Sequence, residues 1–164
     1  EEGNTANEKS YEKALEKAKN YQNIFGQENF FIELHNHGIN QQIQILDDLV
    51  NISKEIDAPL VAANDSHYVS KNDSSAHDAL LCVQTNATME DDDRFKFDGE
   101  EYYVKSSEEM RQLFPDELFP NACDNTLKIA DRVNYQFSFD KDYLPDFPID
   151  DISLTVEEFL RKKV

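Results

Sequence analysis

Apolar residues recur at Tyr11, Ala14, Leu15, Ala18, Tyr21 and Phe25, three and four positions apart, with lysines and glutamates between them. That spacing predicts an amphipathic helix over residues 8–25, ended by Gly26. Phe30-Phe-Ile-Glu-Leu34 is nearly all apolar, the pattern of a strand covered on both faces. Helical spacing returns over residues 41–57 through Ile43, Leu46, Leu49, Val50, Ser53 and Ile56. Pro59 then separates this helix from a second short strand, Leu60 to Ala63. Strand, helix and strand with short joints predict a βαβ unit with parallel strands and a right-handed crossover. Both strand ends then open onto one edge of the sheet, where α/β proteins place their chemistry.

Further along, Ala76, Leu80, Leu81 and Val83 predict a helix from about Ser74 to Gln84. Residues 86–100 read as a polar loop, and Tyr102-Tyr-Val104 as a short strand. Ser106 and Glu109 have the spacing of a capping box that opens a short helix ending near Phe114. A helix over residues 121–133 is predicted to bury Ala122, Cys123, Thr126, Leu127, Ala130 and Val133. Beyond Asn134 the periodicity fails. Phe137-Ser-Phe139 and Tyr143-Leu-Pro-Asp-Phe-Pro148 read as an extended linker, since each proline disfavours helix just before it. Thr155-Val-Glu-Glu158 opens a last helix with no stop signal before Val164, so the chain is expected to be a piece of something longer.

Charge changes the picture. The 164 residues carry 34 acidic against 16 basic side chains, a formal net charge of −18. That balance repels phosphate backbones and argues against a general nucleic-acid grip, while it attracts divalent cations and basic partner surfaces. No apolar run reaches membrane length and no secretory signal opens the chain, so a cytoplasmic location without membrane contact is expected. Cys82 and Cys123 both sit in apolar helical patterns and read as reduced core residues.

The candidate chemistry lies just beyond the strands. In Leu60-Val-Ala-Ala-Asn-Asp-Ser-His-Tyr68 an apolar segment stops at Asn64, and alternation places Asp65 and His67 on one side of the backbone. A carboxylate beside an imidazole at a strand end is a half-site for a divalent metal. The alternative is a turn in which Asp65 bonds backbone amides and His67 packs at the surface. Glu33, His35 and His37 also alternate, and such donors suit Zn²⁺, Mn²⁺ or Fe²⁺ better than Mg²⁺. Here the alternative is that Gly38 turns the chain and scatters the two histidines. His77, in the first turn of its helix, fits capping, packing or a supporting hydrogen bond better than direct ligation. The acidic run Met89-Glu-Asp-Asp-Asp93 fails the EF-hand pattern, because Arg94 and Lys96 stand where acidic ligands belong. No phosphate-binding glycine motif occurs, and no Ser or Cys nucleophile has a recognisable catalytic context.

Several longer stretches, in order, resemble one family. They are Phe30-Phe-Ile-Glu-Leu-His-Asn-His-Gly-Ile39, Pro59-Leu-Val-Ala-Ala-Asn-Asp-Ser-His-Tyr68 and Asp73-Ser-Ser-Ala-His-Asp-Ala-Leu-Leu-Cys-Val-Gln-Thr85, followed by Tyr103-Val-Lys-Ser-Ser-Glu-Glu-Met110, Asn125-Thr-Leu-Lys-Ile-Ala-Asp-Arg132 and Tyr143-Leu-Pro-Asp-Phe-Pro148. Together they resemble the alpha subunits of bacterial replicative DNA polymerase III, of the DnaE type, over roughly residues 11–162. The resemblance implies an α/β fold: part of a distorted (β/α)7 barrel with parallel strands, the PHP (polymerase and histidinol phosphatase) domain, followed by helices and an extended linker. Residues 1–135 would be the C-terminal portion of that domain, and residues 136–164 the linker and first helix toward the palm. Asp65 and His67 match the last metal-binding motif of the PHP domain, whereas Glu33, His35 and His37 match no ligand firmly.

The same resemblance implies a parent that is a DNA-directed DNA polymerase, working with Mg²⁺ on palm carboxylates outside this stretch. Its PHP part is implied to be either a metal-dependent phosphoesterase or 3′–5′ exonuclease, holding Zn²⁺, Mn²⁺ or Fe²⁺, or a structural platform. Implied partners are DNA, through the rest of the parent, and other replisome subunits. The domain's opening His-x-His motif and its middle ligands are absent here, so the segment alone is expected to be inactive. Half a barrel exposes sheet edges and core, so self-association is expected too. The alternatives are a stand-alone PHP phosphatase and a scaffold with a dead metal site.

Overall fold

Helical spacing over residues 8–25 is realised as α1, which spans Glu2–Phe25 and stops at Gly26. The computed structural model describes residues 2–139, 149 and 153–163. They fall in two units, Glu1–Val133 and Asn134–Val164.

The first unit is built on the predicted βαβ arrangement. Strand β1 spans Ile32–Leu34, helix α2 Asn40–Ile56 and strand β2 Leu60–Ala62. The strands are parallel, with Ile32 opposite Leu60, Glu33 opposite Val61 and Leu34 opposite Ala62. The strand pattern departs from the expectation in one respect. Ile32 and Leu34 are buried but Glu33 is exposed, so β1 is covered on one face only. A single carboxylate in an apolar run suffices to turn that face to water, because burying it unpaired would cost several kcal/mol.

Ala18 of α1, the α2 residues Leu46, Val50, Ile52 and Ile56, and Leu34, Leu60 and Ala62 of the strands form the core with Phe114, Phe119 and Ala122. Leu34 is fully buried. Burying a leucine side chain stabilises the fold by roughly 1.5–3 kcal/mol. α1 is tied to α2 by Lys19 on Glu55 at 3.1 Å and by Gln22, whose amide donates to the carbonyl of Ile56 at 3.0 Å.

The outer edge of β2 is closed by the segment entering α5 (Asp124–Arg132). The amide of Ala62 donates to the carbonyl of Ala122 at 2.9 Å, and Asn125 Nδ2 donates to the carbonyl of Leu60 at 2.7 Å. Asn125 is therefore buried because it completes a strand edge. The expectation for this helix needs correcting on which face is covered. Ala122 is buried, but Leu127 and Val133 are exposed. The same holds in α3 (Ser74–Thr85), where Leu81 and Cys82 are buried while Leu80 and Val83 face solvent. Helical spacing identifies an apolar face but not whether anything packs on it.

α4 (Ser107–Leu113) opens on the predicted capping box: Glu109 N donates to Ser106 Oγ at 3.2 Å and Ser106 N to Glu109 Oε2 at 2.8 Å. The predicted strand at Tyr102–Val104 is reduced to one parallel bridge between Tyr68 and Tyr103. Both cysteines are free.

In the second unit, residues 134–139 are irregular, with Tyr135 against Phe137 at 5.0 Å between ring centroids. Helix α6 (Val156–Lys163) opens where Thr155 and Glu158 exchange hydrogen bonds. The predicted linker Tyr143–Pro148 lies outside the described residues. No described helix is long and apolar enough to cross a membrane.

Candidate functional site at the strand ends

β1 and β2 end side by side, so residues 35–39 and 63–68 leave the sheet at one edge. A third segment docks beside them. The amides of His67 and Tyr68 both donate to the carbonyl of Tyr102, at 2.7 and 3.3 Å, and the amide of Val104 donates to the carbonyl of Tyr68 at 3.1 Å. Asn64 Nδ2 donates to the carbonyl of Tyr103 at 2.8 Å. This pairing fixes the backbone through Asp65 and His67.

His67 Nδ1 lies 2.9 Å from the carbonyl of Asp65 and 3.7 Å from Asp65 Oδ1. A carbonyl only accepts, so Nδ1 carries the proton and the lone pair of the neutral ring is on Nε2. Three rings flank the imidazole on its covered side: Phe97 edge-on at 4.6 Å, His77 at 5.5 Å and Tyr102 at 5.7 Å. His77 is thus a packing residue, also against Tyr68 at 5.3 Å.

Glu33 and His35 differ in setting from His37, although the His35 and His37 ring centroids are 5.6 Å apart. His35 Nε2 pairs with Glu33 Oε1 at 3.0 Å on the exposed face of β1. His37 is turned inward and almost sealed, at 3% exposure. Its ring stacks on Tyr102, and Gln42 of α2 clasps it, with Gln42 Oε1 accepting from the backbone amide at 2.8 Å and the Gln42 side chain alongside Nδ1. His37 Nε2 is buried with no hydrogen-bond partner among the described residues. Burial holds the His37 imidazole below its ordinary value, which favours the neutral ring. Gly38 and Gly99 frame it at positive φ of 74° and 80°. A Cβ on Gly99 would lie 3.8 Å from the His37 carbonyl, so Gly99 is required there for its backbone angle and not for want of space.

The side chain of Lys105 is buried beside the docking segment, at 2% exposure. Its ammonium bonds the carbonyl of Glu101 and sits 4.3 Å above the Tyr103 ring. Burial lowers its affinity for a proton. Tyr103 in turn donates to Glu109 at 2.6 Å, which pushes its hydroxyl up to about 12. The 86–100 loop is anchored by a two-pronged ion pair, Arg94 on Asp78 at 2.5 and 2.7 Å.

The sequence expectation thus brings Asp65 and His67 together, with His37 on the far side of Tyr102. Tyr102, Phe97, Gln42 and Lys105 were not singled out as site residues. The only signal was the alternation of Phe95 and Phe97 inside an otherwise polar loop. Two observations test whether a metal fits. The orphaned nitrogen of His37 is an atom that a ligand would satisfy. Against it, no three His, Cys, Asp or Glu groups gather among the described residues in a way that could hold an ion.

Comparison with known proteins decides the relationship. The alpha subunit of DNA polymerase III from Mycobacterium tuberculosis is 45% identical over 140 residues, which is 84% of this chain and 12% of that protein. The chain is homologous to a stretch of the DNA polymerase III alpha subunit. The alpha subunit of Saccharopolyspora erythraea is 47% identical over 125 residues, 76% of this chain and 10% of that protein. That of Borreliella burgdorferi is 40% identical over 151 residues, 89% of this chain and 13% of that protein. The chain therefore spans about an eighth of the length of the curated alpha subunits it matches. No family model matches it.

Proposed function

We propose that this chain is a segment of a replicative, DNA-directed DNA polymerase III alpha subunit. Residues 1–135 would form the C-terminal portion of its PHP domain, and residues 136–164 would lead toward the palm. The carrying observation is the 45% identity to an alpha subunit over 84% of the chain. The parallel β1–α2–β2 unit, with both strand ends on one edge, supports placing the segment in a (β/α) barrel. The parent would extend a primer with Mg²⁺ held by palm carboxylates outside this stretch, and DNA and other replisome subunits would be engaged through the parent. In isolation the segment would be inactive and would self-associate. Primer extension by the full-length parent tests the polymerase reading, and a parent that extends no primer would sink it.

Asp65 and His67 are the site residues of this reading, as two ligands of a divalent ion, Zn²⁺, Mn²⁺ or Fe²⁺, whose other donors lie elsewhere in the parent. Such an ion would activate water and neutralise phosphate. His67 offers Nε2, oriented by its Nδ1 contact to the Asp65 carbonyl, the usual support of a ligating imidazole. Asp65 is exposed and free to turn toward an ion. Glu33, held by His35, and His37, sealed behind Tyr102, are weaker candidates.

A second reading rests on the ring cluster beside His67. The segment would serve as a scaffold whose packed rings support the polymerase. Elemental analysis of the full-length parent separates the two, comparing wild type with Asp65→Asn, His67→Gln. Loss of bound metal in the variant supports ligation, and equal metal content supports the scaffold.

A further inference from the structure

A cleft of about 460 Å³ opens between the N-terminal half of α3 and residues 96–100. Asp65 and His67 do not line it. Its walls are aromatic. Tyr68, His77 and Phe97 face it, with His77 and Phe97 edge to face at 5.1 Å and Tyr68 and His77 at 5.3 Å. Its rim is charged. Asp98 and Glu100 are exposed and line it; neither is held in an ion pair or side-chain hydrogen bond among the described residues, though the charge of Glu100 acts on Lys71. Lys96 is the cation on the same rim, one charge against two. The third carboxylate, Asp78, is already neutralised by Arg94.

Aromatic rings and carboxylates around one cavity match the chemistry of a basic side chain, whose cation is drawn to the ring quadrupole and whose N–H groups meet carboxylate oxygens. We infer that this cleft receives an arginine or lysine side chain from a basic segment of a protein partner. The chain's net charge of −18 steers such a segment inward and repels nucleic acid, the other ligand that stacks on aromatic rings. Arginine fits best, because its planar head stacks on a ring while its fork reaches a carboxylate. Phe97 is the wall residue most firmly set, since its other contacts, to His67 at 4.6 Å and Tyr102 at 4.7 Å, hold the ring. The inference does not depend on the metal reading.

The test is fluorescence anisotropy of the 164-residue chain with a labelled Gly-Ser peptide carrying three arginines, beside the same peptide with citrulline, the uncharged isostere, at each arginine. The arginine peptide is expected to bind at least roughly tenfold more tightly than the citrulline peptide. Phe97→Leu, which keeps an apolar wall without the ring, is expected to weaken binding roughly three- to tenfold. Asp98→Asn with Glu100→Gln is expected to weaken it by a similar factor. These two side chains are exposed, so this variant keeps the test sound if Phe97→Leu unfolds. Asp92→Asn with Asp93→Asn removes the same charge from the exposed acidic run outside the cleft, and it should leave binding unchanged. Equal binding of the arginine and citrulline peptides would overturn the inference. So would equal weakening by the two charge-removing pairs, because attraction to the whole acidic surface would then explain the binding. Binding of oligothymidylate in preference to the arginine peptide would overturn it in favour of a nucleic-acid cleft.

Discussion

His37 and Tyr102 stack face to face, their ring centroids 4.4 Å apart and their planes 12° from parallel. The stack joins the end of β1 to the segment that pairs with His67, and it seals the His37 ring from water. Its pH dependence follows. Burial, the largest influence, holds His37 below its ordinary value of 6.5, so the unfolded chain takes up this proton more readily than the folded one. Stability from the neutral ring is fully present above the unfolded value and is lost as pH falls below it, toward the folded value. The slope from one such group reaches at most about 1.4 kcal/mol per pH unit. Denaturant midpoints at pH 7.5, 6.5 and 5.5 should fall more steeply for wild type than for His37→Phe, which keeps a ring to stack but cannot titrate. Parallel slopes would show that His37 contributes nothing to the pH response.

Asn125 closes the edge of β2, and its removal should be felt across the sheet. Asn125→Ala leaves the Leu60 carbonyl without the side-chain donor 2.7 Å away in a buried setting. The expected loss is about 1–3 kcal/mol, the cost of an unsatisfied buried acceptor. Urea unfolding followed by circular dichroism measures it. Asn125→Asp, which presents a carboxylate to that carbonyl, should be worse than alanine, and a milder effect would mean that water reaches the edge.

Arg94 holds the 86–100 loop through Asp78, which the two guanidinium bonds keep below the usual carboxylate range. Arg94→Met keeps much of the stem and deletes the pair. The Arg94 side chain is 8% exposed and that of Asp78 28%, so deleting the pair is expected to loosen the loop. The sign for Asp78 is that of a lowered carboxylate: its contribution is present above the unfolded value and vanishes as pH falls through the folded one. Limited proteolysis should then cut within residues 86–100 faster in the variant. Unchanged cleavage would mean that the loop is held by Phe97 and Tyr102 instead.

The elements of the first unit were legible because their signals are local. The periodicity of α1 and α2, the breaks at Gly26 and Pro59 and the Ser106–Glu109 box each lie within a few residues, and each forms as read. Asp65 and His67 were legible as a pair for the same reason: they are two residues apart. Tyr102 was not, because its role comes from segments 35 and 65 positions away that only the fold brings to it. Leu127 and Val133 were misread as core for a related reason. Their spacing fits a buried face, but α5 meets β2 through Ala122 and Asn125. Asn125, a polar residue inside that helix, carried the contact that apolar periodicity could not announce.

Two leucines of the same chemistry should separate coverage from periodicity. Leu34 is fully buried in β1, and Leu80 is 62% exposed on α3. Leu34→Ala removes packed methylenes and leaves a cavity, so it should cost about 2–5 kcal/mol. Leu80→Ala removes little that is shielded from water and places the best helix former in a helix, so its effect should stay within about 0.5 kcal/mol. Thermal midpoints of the two variants beside wild type make the comparison. A large loss for Leu80→Ala would mean that the exposed face of α3, with Val83 beside it, is covered in solution by another surface. Dependence of that loss on protein concentration would then identify the cover as a second copy of the chain, because an interface between copies weakens on dilution whereas a packed core does not.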